Sequence, residues 1–211
     1  MPPSAFLQVS EDLNVVSAID DIILRRALAD YRGWHDHPGG LLPTVSVNVS
    51  FRRLLDENLV ESLAALDIPK GVISFELLES IFLDDVEEIV KWNLAGVRDL
   101  GIGLSIDDFG TGHASILGLL RLRPDQMKID RQFLEGIEAS TAQRKLVRSL
   151  IDIGKSLGIK VVAEGVETQQ QARILADLGC DLLQGFALAR PMPNSELIER
   201  LGVPSRKLAR Q

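Results

Sequence analysis

From Thr44 onwards, short β-branched runs alternate with longer stretches that carry apolar residues at helical spacing. The runs predict six strands, at Thr44–Ser50, Val72–Leu78, Ile102–Ile106, Gln126–Ile129, Ile159–Ala163 and Asp181–Leu183. Parallel strands need a crossover long enough to hold a helix, and such crossovers are right-handed. The alternation therefore predicts an α/β fold built on a parallel sheet.

The stretches between the runs predict helices that connect each strand to the next. They are a segment ending at about Ala65, then Ile81–Leu100, His113–Arg121, Ala142–Leu157 and Thr168–Leu178. Gly158 and Gly179 stand where helix C-caps are expected, just before the strands that follow. Ahead of the first strand, residues 1–14 predict irregular chain and Val15–Tyr31 predicts a helix.

The composition is that of a single acidic domain. The 211 residues, 45% of them hydrophobic, hold enough apolar material for one sizeable core. A net charge of -7 argues against a nucleic-acid polymer or an anionic membrane as the main partner, and no apolar run is long enough to cross a bilayer. A polyanionic substrate would therefore need a metal to be held. The single cysteine, Cys180, excludes an internal disulfide and fits a reducing compartment such as the cytoplasm.

Residues 104–113 read Leu-Ser-Ile-Asp-Asp-Phe-Gly-Thr-Gly-His, so a strand pattern ends in two adjacent carboxylates. Asp107 and Asp108 point to opposite sides of an extended strand. Both face one site only where the strand ends and the backbone twists, as Gly110 and Gly112 permit. Such a pair is typical of a cation site. Taken alone, an ordinary turn-and-cap sequence explains these residues about equally well.

Polar residues fall within or at the end of every predicted strand. They are Asn48, Glu76, Asp107 with Asp108, Lys128, Glu164 with Glu167, and Gln184. A single acidic residue there is usually a helix cap, and Glu79, Glu167 or Asp130 could each be one. The whole series favours part of a TIM-like (β/α)8 barrel, in which strand ends converge on the face that carries the chemistry. An open doubly wound sheet is the alternative, but no Gly-rich phosphate motif follows the first strand.

The residue types in this series point to hard divalent cations. Carboxylates with an amide oxygen suit Mg²⁺ or Mn²⁺ better than zinc. The adjacent Asp107 and Asp108 can serve two ions, the arrangement used for in-line attack on a phosphodiester. Lys128 would then orient a metal-bound water or stabilise developing charge, and its alternative role is a structural ion pair.

Six motifs occur in an order and spacing that resemble one family. They are Ser-Val-Asn-Val-Ser, Phe-Glu-Leu-Leu-Glu-Ser, Asp-Asp-Phe-Gly-Thr-Gly, Met-Lys-Ile-Asp-Arg, Val-Val-Ala-Glu-Gly-Val-Glu-Thr and Leu-Gln-Gly-Phe. The set is similar to the EAL-domain family of bacterial cyclic di-GMP phosphodiesterases, from about Pro3 to Pro193. The resemblance implies hydrolysis of cyclic di-GMP to linear pGpG by a domain over residues 1–203, which a basic tail follows at 204–211.

The resemblance also implies roles for individual residues at a two-metal site. Asn48, Glu76 and Asp107 would bind one metal, and Asp107 and Asp108 would share a second. Glu164 would be a metal or water ligand. Catalytic or supporting roles around the attacking water would fall to Lys128, Glu164, Glu167 and Gln184.

Two further groups of candidate functional residues lie outside the two-metal site. One belongs to the same motifs, and the other follows the last predicted strand. A loop held by Glu79 would couple metal binding to dimer contact. Its residues are Phe109, Gly110, Thr111 and Gly112. Arg190 and Pro191, which follow the last strand, are candidates for contact with the substrate.

The chain departs from the family pattern near its beginning. The Glu-Ala-Leu motif that names the family lies on an earlier strand, where its glutamate would bind metal, and this sequence does not contain it. We therefore expect about six of the eight barrel strands, without the two N-terminal ones. Such a barrel has unpaired edges, so either the chain is an incomplete copy of a longer protein or another chain covers the gap. Leu78 also stands where the family usually has threonine.

Two functions remain open on the sequence alone. One is a cytoplasmic phosphodiesterase that acts on cyclic di-GMP, with a second copy and attached sensory or GGDEF domains as partners. The other is a non-catalytic receptor for the dinucleotide or a protein-interaction module. The missing glutamate and Leu78 favour the second, because losing one ligand of a shared site can abolish turnover and leave binding. The first is favoured because a chain released from catalysis has no physical need for Asp107, Asp108, Lys128 and Glu164 together.

Overall fold

The computed structural model describes residues 7–34, 44–78, 87–111 and 116–200. Within these ranges, six strands form one parallel sheet in the order β1-β2-β3-β4-β5-β6. The strands are β1 Val45–Asn48, β2 Ile73–Leu78, β3 Gly103–Phe109, β4 Gln126–Ile129, β5 Lys160–Ala163 and β6 Leu182–Leu183. Each strand pairs with its neighbour along the chain, so the predicted parallel arrangement is confirmed.

Helices precede the first strand, occupy the connections between the strands and follow the last strand. They are α1 Leu7–Asp12, α2 Val16–Trp34, α3 Phe51–Leu54, α4 Leu59–Ala64, α5 Glu88–Asp99, α6 Ile116–Leu122, α7 Thr141–Leu157, α8 Gln169–Asp177 and α9 Asn194–Arg200. Side-chain oxygens fix where two of them begin: the Ser140 hydroxyl caps α7, and Thr168 forms a capping box with Gln171 at α8. Helix α7 ends at Gly158, whose φ of 72° is the left-handed cap that the sequence predicts.

The sheet curls into a half-barrel whose helix-covered side forms the core. Alternate residues of each strand face the helices, and in β2 these are the fully buried Phe75 and Leu77. Helix α7 approaches the sheet closely at Gly154, where a Cβ would lie 2.4 Å from Cγ2 of Val161. The opposite residues of each strand are therefore left to line the inner side of the half-barrel.

The N-terminal segment is more regular than the sequence predicts. Irregular chain was expected over residues 1–14, but α1 occupies Leu7–Asp12. Asn14 then adopts a left-handed conformation with φ of 57°, which turns the chain into α2. One short helix followed by a sharp turn is too brief to show a helical period, which is why the pattern missed it.

Two predicted helices differ in extent from the observed ones. The segment predicted to end at about Ala65 is two helices, α3 and α4, because residues 55–58 form a turn between them. Helix α5 is Glu88–Asp99, and residues 81–86 of the predicted helix Ile81–Leu100 lie outside the described residues. Residues 79–86 and 112–115 lie outside the described ranges.

The two ends of the sheet have one strand neighbour each within the described residues. Strand β1 pairs with β2, and β6 pairs with β5. The six strands of the prediction are all present, and they form the expected part of a barrel. Among the described helices, none has the length and apolar content that a bilayer-spanning segment needs.

Candidate metal centre

Four charged side chains converge on the inner side of the half-barrel, at the carboxyl ends of four adjacent strands. The ammonium Nζ of Lys128 lies 2.7 Å from Oε1 of Glu76, 2.7 Å from Oε1 of Glu164 and 3.4 Å from Oδ1 of Asp107. The side chains of Lys128 and Glu76 are almost fully buried, and those of Asp107 and Glu164 are only slightly exposed. One cation thus holds three carboxylates from three different strands.

The period-two geometry of the strands explains this convergence. In β2, Glu76 lies between Phe75 and Leu77, and in β4, Lys128 lies between Met127 and Ile129. The apolar neighbours pack against the helices, so the charged residues between them must face inwards. Charged residues on the inner side of adjoining strands are then close enough to pair.

The charge of Lys128 is secured by its carboxylate partners. Burial acts to lower the pKa of this lysine, but the hydrogen bonds of Glu164 and Glu76 and the nearby charge of Asp107 more than offset it. The pKa of the ammonium therefore lies above its ordinary value, and Lys128 is cationic at neutral pH.

The carboxylates of Asp107 and Asp108 share the site because of an irregularity in β3. The pairing register between β3 and β4 shifts between Ile106 and Phe109, and Asp108 has a positive φ of 55°. The sequence pattern predicts this twist beyond the strand, at Gly110 and Gly112. The strand instead continues to Phe109, and the left-handed residue is Asp108 itself, a residue type that tolerates this conformation.

Three acidic residues offer oxygen ligands to one position. Carboxylate oxygens of Asp107, Asp108 and Glu164 all lie within 4.8 Å of one another. Burial and the neighbouring carboxylates of Asp107 and Asp130 raise the pKa of Asp108. Burial also raises the pKa of Glu164, although Lys128 acts in the opposite direction. The carboxylates outnumber the single ammonium, so this oxygen set fits a hard divalent cation such as Mg²⁺ or Mn²⁺.

One residue of the site was missed as a functional candidate. Asp130 was considered only as a helix cap, and its carboxylate does accept the backbone N–H of Gln132 at 2.8 Å. The nearby charge of Asp130 also contributes to the raised pKa of the Asp108 carboxyl. Asp130 directly follows β4, and the same position at the end of a strand marks the other acidic candidates in the sequence.

Comparison with known proteins agrees with this geometry. The family model described as "EAL domain" matches residues 1–191. The chain belongs to the EAL domain family. This EAL domain is 35% identical over 203 residues to the Pseudomonas aeruginosa protein named cyclic di-GMP phosphodiesterase NbdA, covering 94% of this chain and 26% of that protein. It is 34% identical over 196 residues to the Bacillus subtilis signaling protein YkoW, covering 91% of this chain and 24% of that protein. The chain therefore spans about a quarter of these curated relatives.

Solved structures of the family share the fold of this EAL domain. The PaMucR phosphodiesterase in its c-di-GMP complex superposes with a TM-score of 0.84 at 34% identity, over 93% of this chain and 81% of that one. The EAL domain of Mycobacterium smegmatis DcpA gives a TM-score of 0.81 at 33% identity, over 90% of this chain and 86% of that one. These likenesses confirm the α/β barrel class that the sequence predicts.

Three further residues named from the sequence flank the charged cluster of this EAL domain. Asn48 is exposed at the end of β1 and is in register with Glu76. Gln184 is exposed after β6, and its backbone bonds to Ala163 and Val166 tie it to the turn that follows β5. The side chain of Glu167 is exposed, and its backbone N–H donates to Gln171 at the start of α8. The ion pairs of the cluster link Glu76, Asp107 and Glu164 to Lys128 and do not extend to these three.

The loop after the paired aspartates is anchored to the core of the EAL domain. Phe109 is buried, and Gly110 has a φ of 98° with the Phe133 ring 2.7 Å from where a Cβ would lie. The hydroxyl of Thr111 donates to the carbonyl of Asp108 at 3.0 Å. Glu79 and Gly112, which the sequence predicts to take part in this loop, lie outside the described residues.

The two substrate candidates after β6 are exposed. The Arg190 guanidinium lies over the Phe186 ring, 4.6 Å from its centre, and Pro191 follows it in the chain. This cation-π contact stabilises the observed orientation of the Arg190 side chain.

Proposed function

We propose that this EAL domain hydrolyses cyclic di-GMP to linear pGpG with the help of divalent metal ions. The observation that carries the proposal is the gathering of Asp107, Asp108 and Glu164 beside Lys128 at the carboxyl ends of the strands. The family relationship adds support, since one relative is named a cyclic di-GMP phosphodiesterase and a solved relative is a c-di-GMP complex.

In this proposal, carboxylate side chains of the chain bind the metal. Asp107, Asp108 and Glu164 would hold Mg²⁺ or Mn²⁺, with Glu76 and Asn48 as further ligands. When bound, the metal supplies charge to the phosphodiester and lowers the pKa of a water molecule. Titration of the protein with Mg²⁺ and with Mn²⁺ distinguishes between the two metals.

The protein's own groups complete the chemistry. The Lys128 ammonium donates hydrogen bonds within the cluster, so it orients the attacking water and offsets negative charge that develops on the phosphate. Glu164, which contacts the Lys128 ammonium at 2.7 Å, would bind the metal or the attacking water. Glu167 and Gln184 support these groups from the neighbouring turn, and Arg190 with Pro191 contacts the nucleotide.

The setting of the domain follows from the same proposal. We place the domain at residues 1–203 with a basic tail at 204–211, in the bacterial cytoplasm. Metal binding is coupled to a homodimer contact through the loop of Phe109, Gly110, Thr111 and Gly112, which Glu79 holds. Sensory or GGDEF domains are the proposed partners, since one relative is named as a bifunctional diguanylate cyclase and phosphodiesterase.

A receptor without turnover is the second candidate. Leu78 ends β2 in register with Asp107, and its side chain is 51% exposed beside the cluster. An apolar residue at that position offers no hydrogen bond to hold a metal ligand, which favours binding without hydrolysis.

Chromatography of the reaction products tests the proposal. The full chain is incubated with cyclic di-GMP and Mn²⁺, with Asp107→Asn as the site variant and Asp181→Ala as the control at the other end of the sheet. Linear pGpG made by the wild type and the control, and lost in the site variant, supports the enzyme. Binding by calorimetry without product supports the receptor, and neither binding nor product would overturn both.

A further inference from the structure

One turn of α2 is hydrogen bonded to the chain that leaves β1. The backbone N–H and the hydroxyl of Ser50 both donate to Oδ2 of Asp20, at 2.9 Å and 2.6 Å. Asp20 is buried, and Ser50 is half-buried. A distance of 2.6 Å between a hydroxyl and a carboxylate oxygen is typical of the stronger class of hydrogen bond. The two contacts therefore fix Ser50 against α2.

The same turn of α2 also holds α3. The side chain of Arg53 is almost fully buried, and its Nη2 lies 3.0 Å from Oδ1 of Asp21. Its Nη1 donates to the carbonyl of Ser17, also at 3.0 Å. Ser17 lies three and four residues before Asp20 and Asp21, so all three share one face of the helix. Two adjacent acids thus hold two different parts of the segment that follows β1.

The contact with Asp20 begins where the pairing of β1 with the sheet ends. Within the described residues β1 pairs with β2 alone, and Val49, directly after β1, still donates its N–H to the carbonyl of Glu76 at 3.0 Å. The next residue, Ser50, is the N-cap of α3. At Ser50 the backbone donor therefore leaves the sheet and is accepted by Asp20.

Asn48 is the residue whose position this contact affects. It ends β1, two residues before Ser50, and is in register with Glu76 of the charged cluster. Its neighbour Val47 is buried, so the exposed side chain of Asn48 belongs to the inner side of the half-barrel. The place of an exposed side chain depends mainly on the backbone that carries it. That backbone is held by β2 on one side and, through Ser50, by Asp20.

The neighbouring acid, Asp21, separates a positioning role from a purely stabilising one. Asp21 joins the same helix to α3 through Arg53, which lies five residues beyond Asn48. Asp20 joins it to Ser50, where the chain leaves the sheet. If both acids only stabilise the fold, their loss should affect the metal centre alike. If Asp20 positions Asn48, only its loss should change the binding of metal.

We infer that Asp20 is a positioning residue for the metal centre and acts through Ser50 on Asn48. By accepting both donors of Ser50, Asp20 fixes the direction in which the chain leaves β1. It thereby holds the Asn48 side chain next to Glu76, its register partner. The inference rests on the proposed function, in which Asn48 is a further metal ligand, but its test requires metal binding and not hydrolysis.

Calorimetric titration of the full chain with Mn²⁺ tests the inference. We expect the dissociation constant to rise about 10-fold in Asp20→Ala, the effect of losing a group behind a metal ligand. In the matched control Asp21→Ala it should be unchanged, although stability falls because Arg53 loses its carboxylate partner. Asp20→Asn keeps an acceptor for Ser50 and should recover most of the affinity. Wild-type affinity in Asp20→Ala, or an equal loss in Asp21→Ala, would overturn the inference.

A double-mutant cycle with Asn48→Ala tests whether the effect passes through Asn48. In the Asn48→Ala background, Asp20→Ala should cause no further loss of Mn²⁺ affinity, and the same loss in both backgrounds would overturn the inference. If Asp20→Ala does not fold, Ser50→Ala replaces it in the cycle, with a smaller loss expected because the N–H contact remains.

The same titrations separate this inference from the proposed function. A wild type that binds Mn²⁺ without hydrolysing cyclic di-GMP would count only against the proposed hydrolysis. A wild type that hydrolyses cyclic di-GMP, with unchanged Mn²⁺ affinity in Asp20→Ala, would overturn only the role of Asp20. A wild type that does not bind Mn²⁺ would overturn both.

Discussion

Acidic residues at the two ends of the sheet serve opposite purposes. At the amino-terminal end, Asp125 accepts the backbone N–H of Leu104 and Asp181 accepts that of Val161, each at 2.8 Å. At the carboxyl-terminal end, Glu76 and Glu164 contact the ammonium of one lysine. The first pair completes the hydrogen bonding of a neighbouring strand, whereas the second leaves excess negative charge.

The difference shows that the role of an acidic residue at a strand end depends on whether its carboxylate meets a backbone N–H or other carboxylates. An acid that meets a backbone donor is satisfied by the fold itself, and it contributes to stability. Acids that meet mainly other acids are not satisfied by the fold. Such a cluster is suited to binding a cation, which is why the proposed chemistry is assigned to the carboxyl ends.

The largest expected effect is a loss of hydrolysis when an acid at the carboxyl ends of the strands is replaced. Replacing Asp107 by Asn removes a negative ligand that lies in both the ion-pair network and the acidic trio. Loss of a group behind a metal ligand costs about 10–100-fold, so loss of the ligand itself should lower hydrolysis of cyclic di-GMP by more than about 100-fold. Initial rates with Mn²⁺ measure this effect. A rate near that of the wild type would contradict the claim that acids at the carboxyl ends of the strands carry the activity.

The next effect concerns the stability of the charged end. In Lys128→Met, three carboxylates lose the buried ammonium that pairs with them, and the metal-free protein should lose about 3 kcal/mol of unfolding free energy. Added Mn²⁺ should recover part of this loss because it replaces the missing positive charge. Urea unfolding in EDTA and in Mn²⁺ checks both statements, and an undiminished stability in EDTA would contradict them.

A smaller effect is expected at the amino-terminal end. Asp181→Ala leaves the Val161 N–H without its acceptor, and the free energy of unfolding should fall by about 1–3 kcal/mol. Hydrolysis by the folded protein should be unchanged, because Asp181 lies at the end of the sheet opposite the cluster. A variant of normal stability but low activity would show that the two ends are not separate in purpose.

The same end offers a test of backbone conformation alone. Gly158 caps α7 with φ of 72°, and a Cβ there would meet no atom within 4 Å. Gly158→Ala should therefore cost only the left-handed conformation, about 1 kcal/mol in thermal or urea unfolding. A loss of unfolding free energy well above this would mean that Gly158 is required for a reason other than its positive φ.

The smallest effect is a difference in thiol reactivity. Burial raises the pKa of Cys180, and the charge of the neighbouring Asp181 raises it further. Thiolate is the reactive form, so alkylation of the folded protein should be slower than that of the unfolded chain and should rise to its plateau at a higher pH. Iodoacetamide labelling followed by mass spectrometry measures the rates. Asp181→Ala should shift the profile to lower pH, and a shift to higher pH would contradict this sign.

Much of the fold was predictable because its signals are local. The position of Glu76 between Phe75 and Leu77 gives the inner face of β2 from the two-residue period alone. The cap at Gly158 follows from glycine's tolerance of positive φ. The extent of β3 was not predictable, since the left-handed conformation of Asp108 is stabilised by contacts within the fold and not by a local pattern.

The sequence predicts the residues of the candidate metal centre better than it predicts the distances between them. The sequence placed Asp107, Lys128 and Glu164 at strand ends, but their distances depend on strand register and on the curl of the sheet. The influence of Asp130 on the pKa of Asp108 depends on the same register, so the sequence pattern does not reveal it.

Anomalous diffraction at the manganese edge tests the central claim most directly. Crystals of the full chain soaked in Mn²⁺ should show a peak bounded by carboxylate oxygens of Asp107, Asp108 and Glu164, at metal-ligand distances, and none beside Asp125 or Asp181. Saturating Mn²⁺ that leaves these oxygens without a peak, or that binds only at the amino-terminal end, would contradict the account.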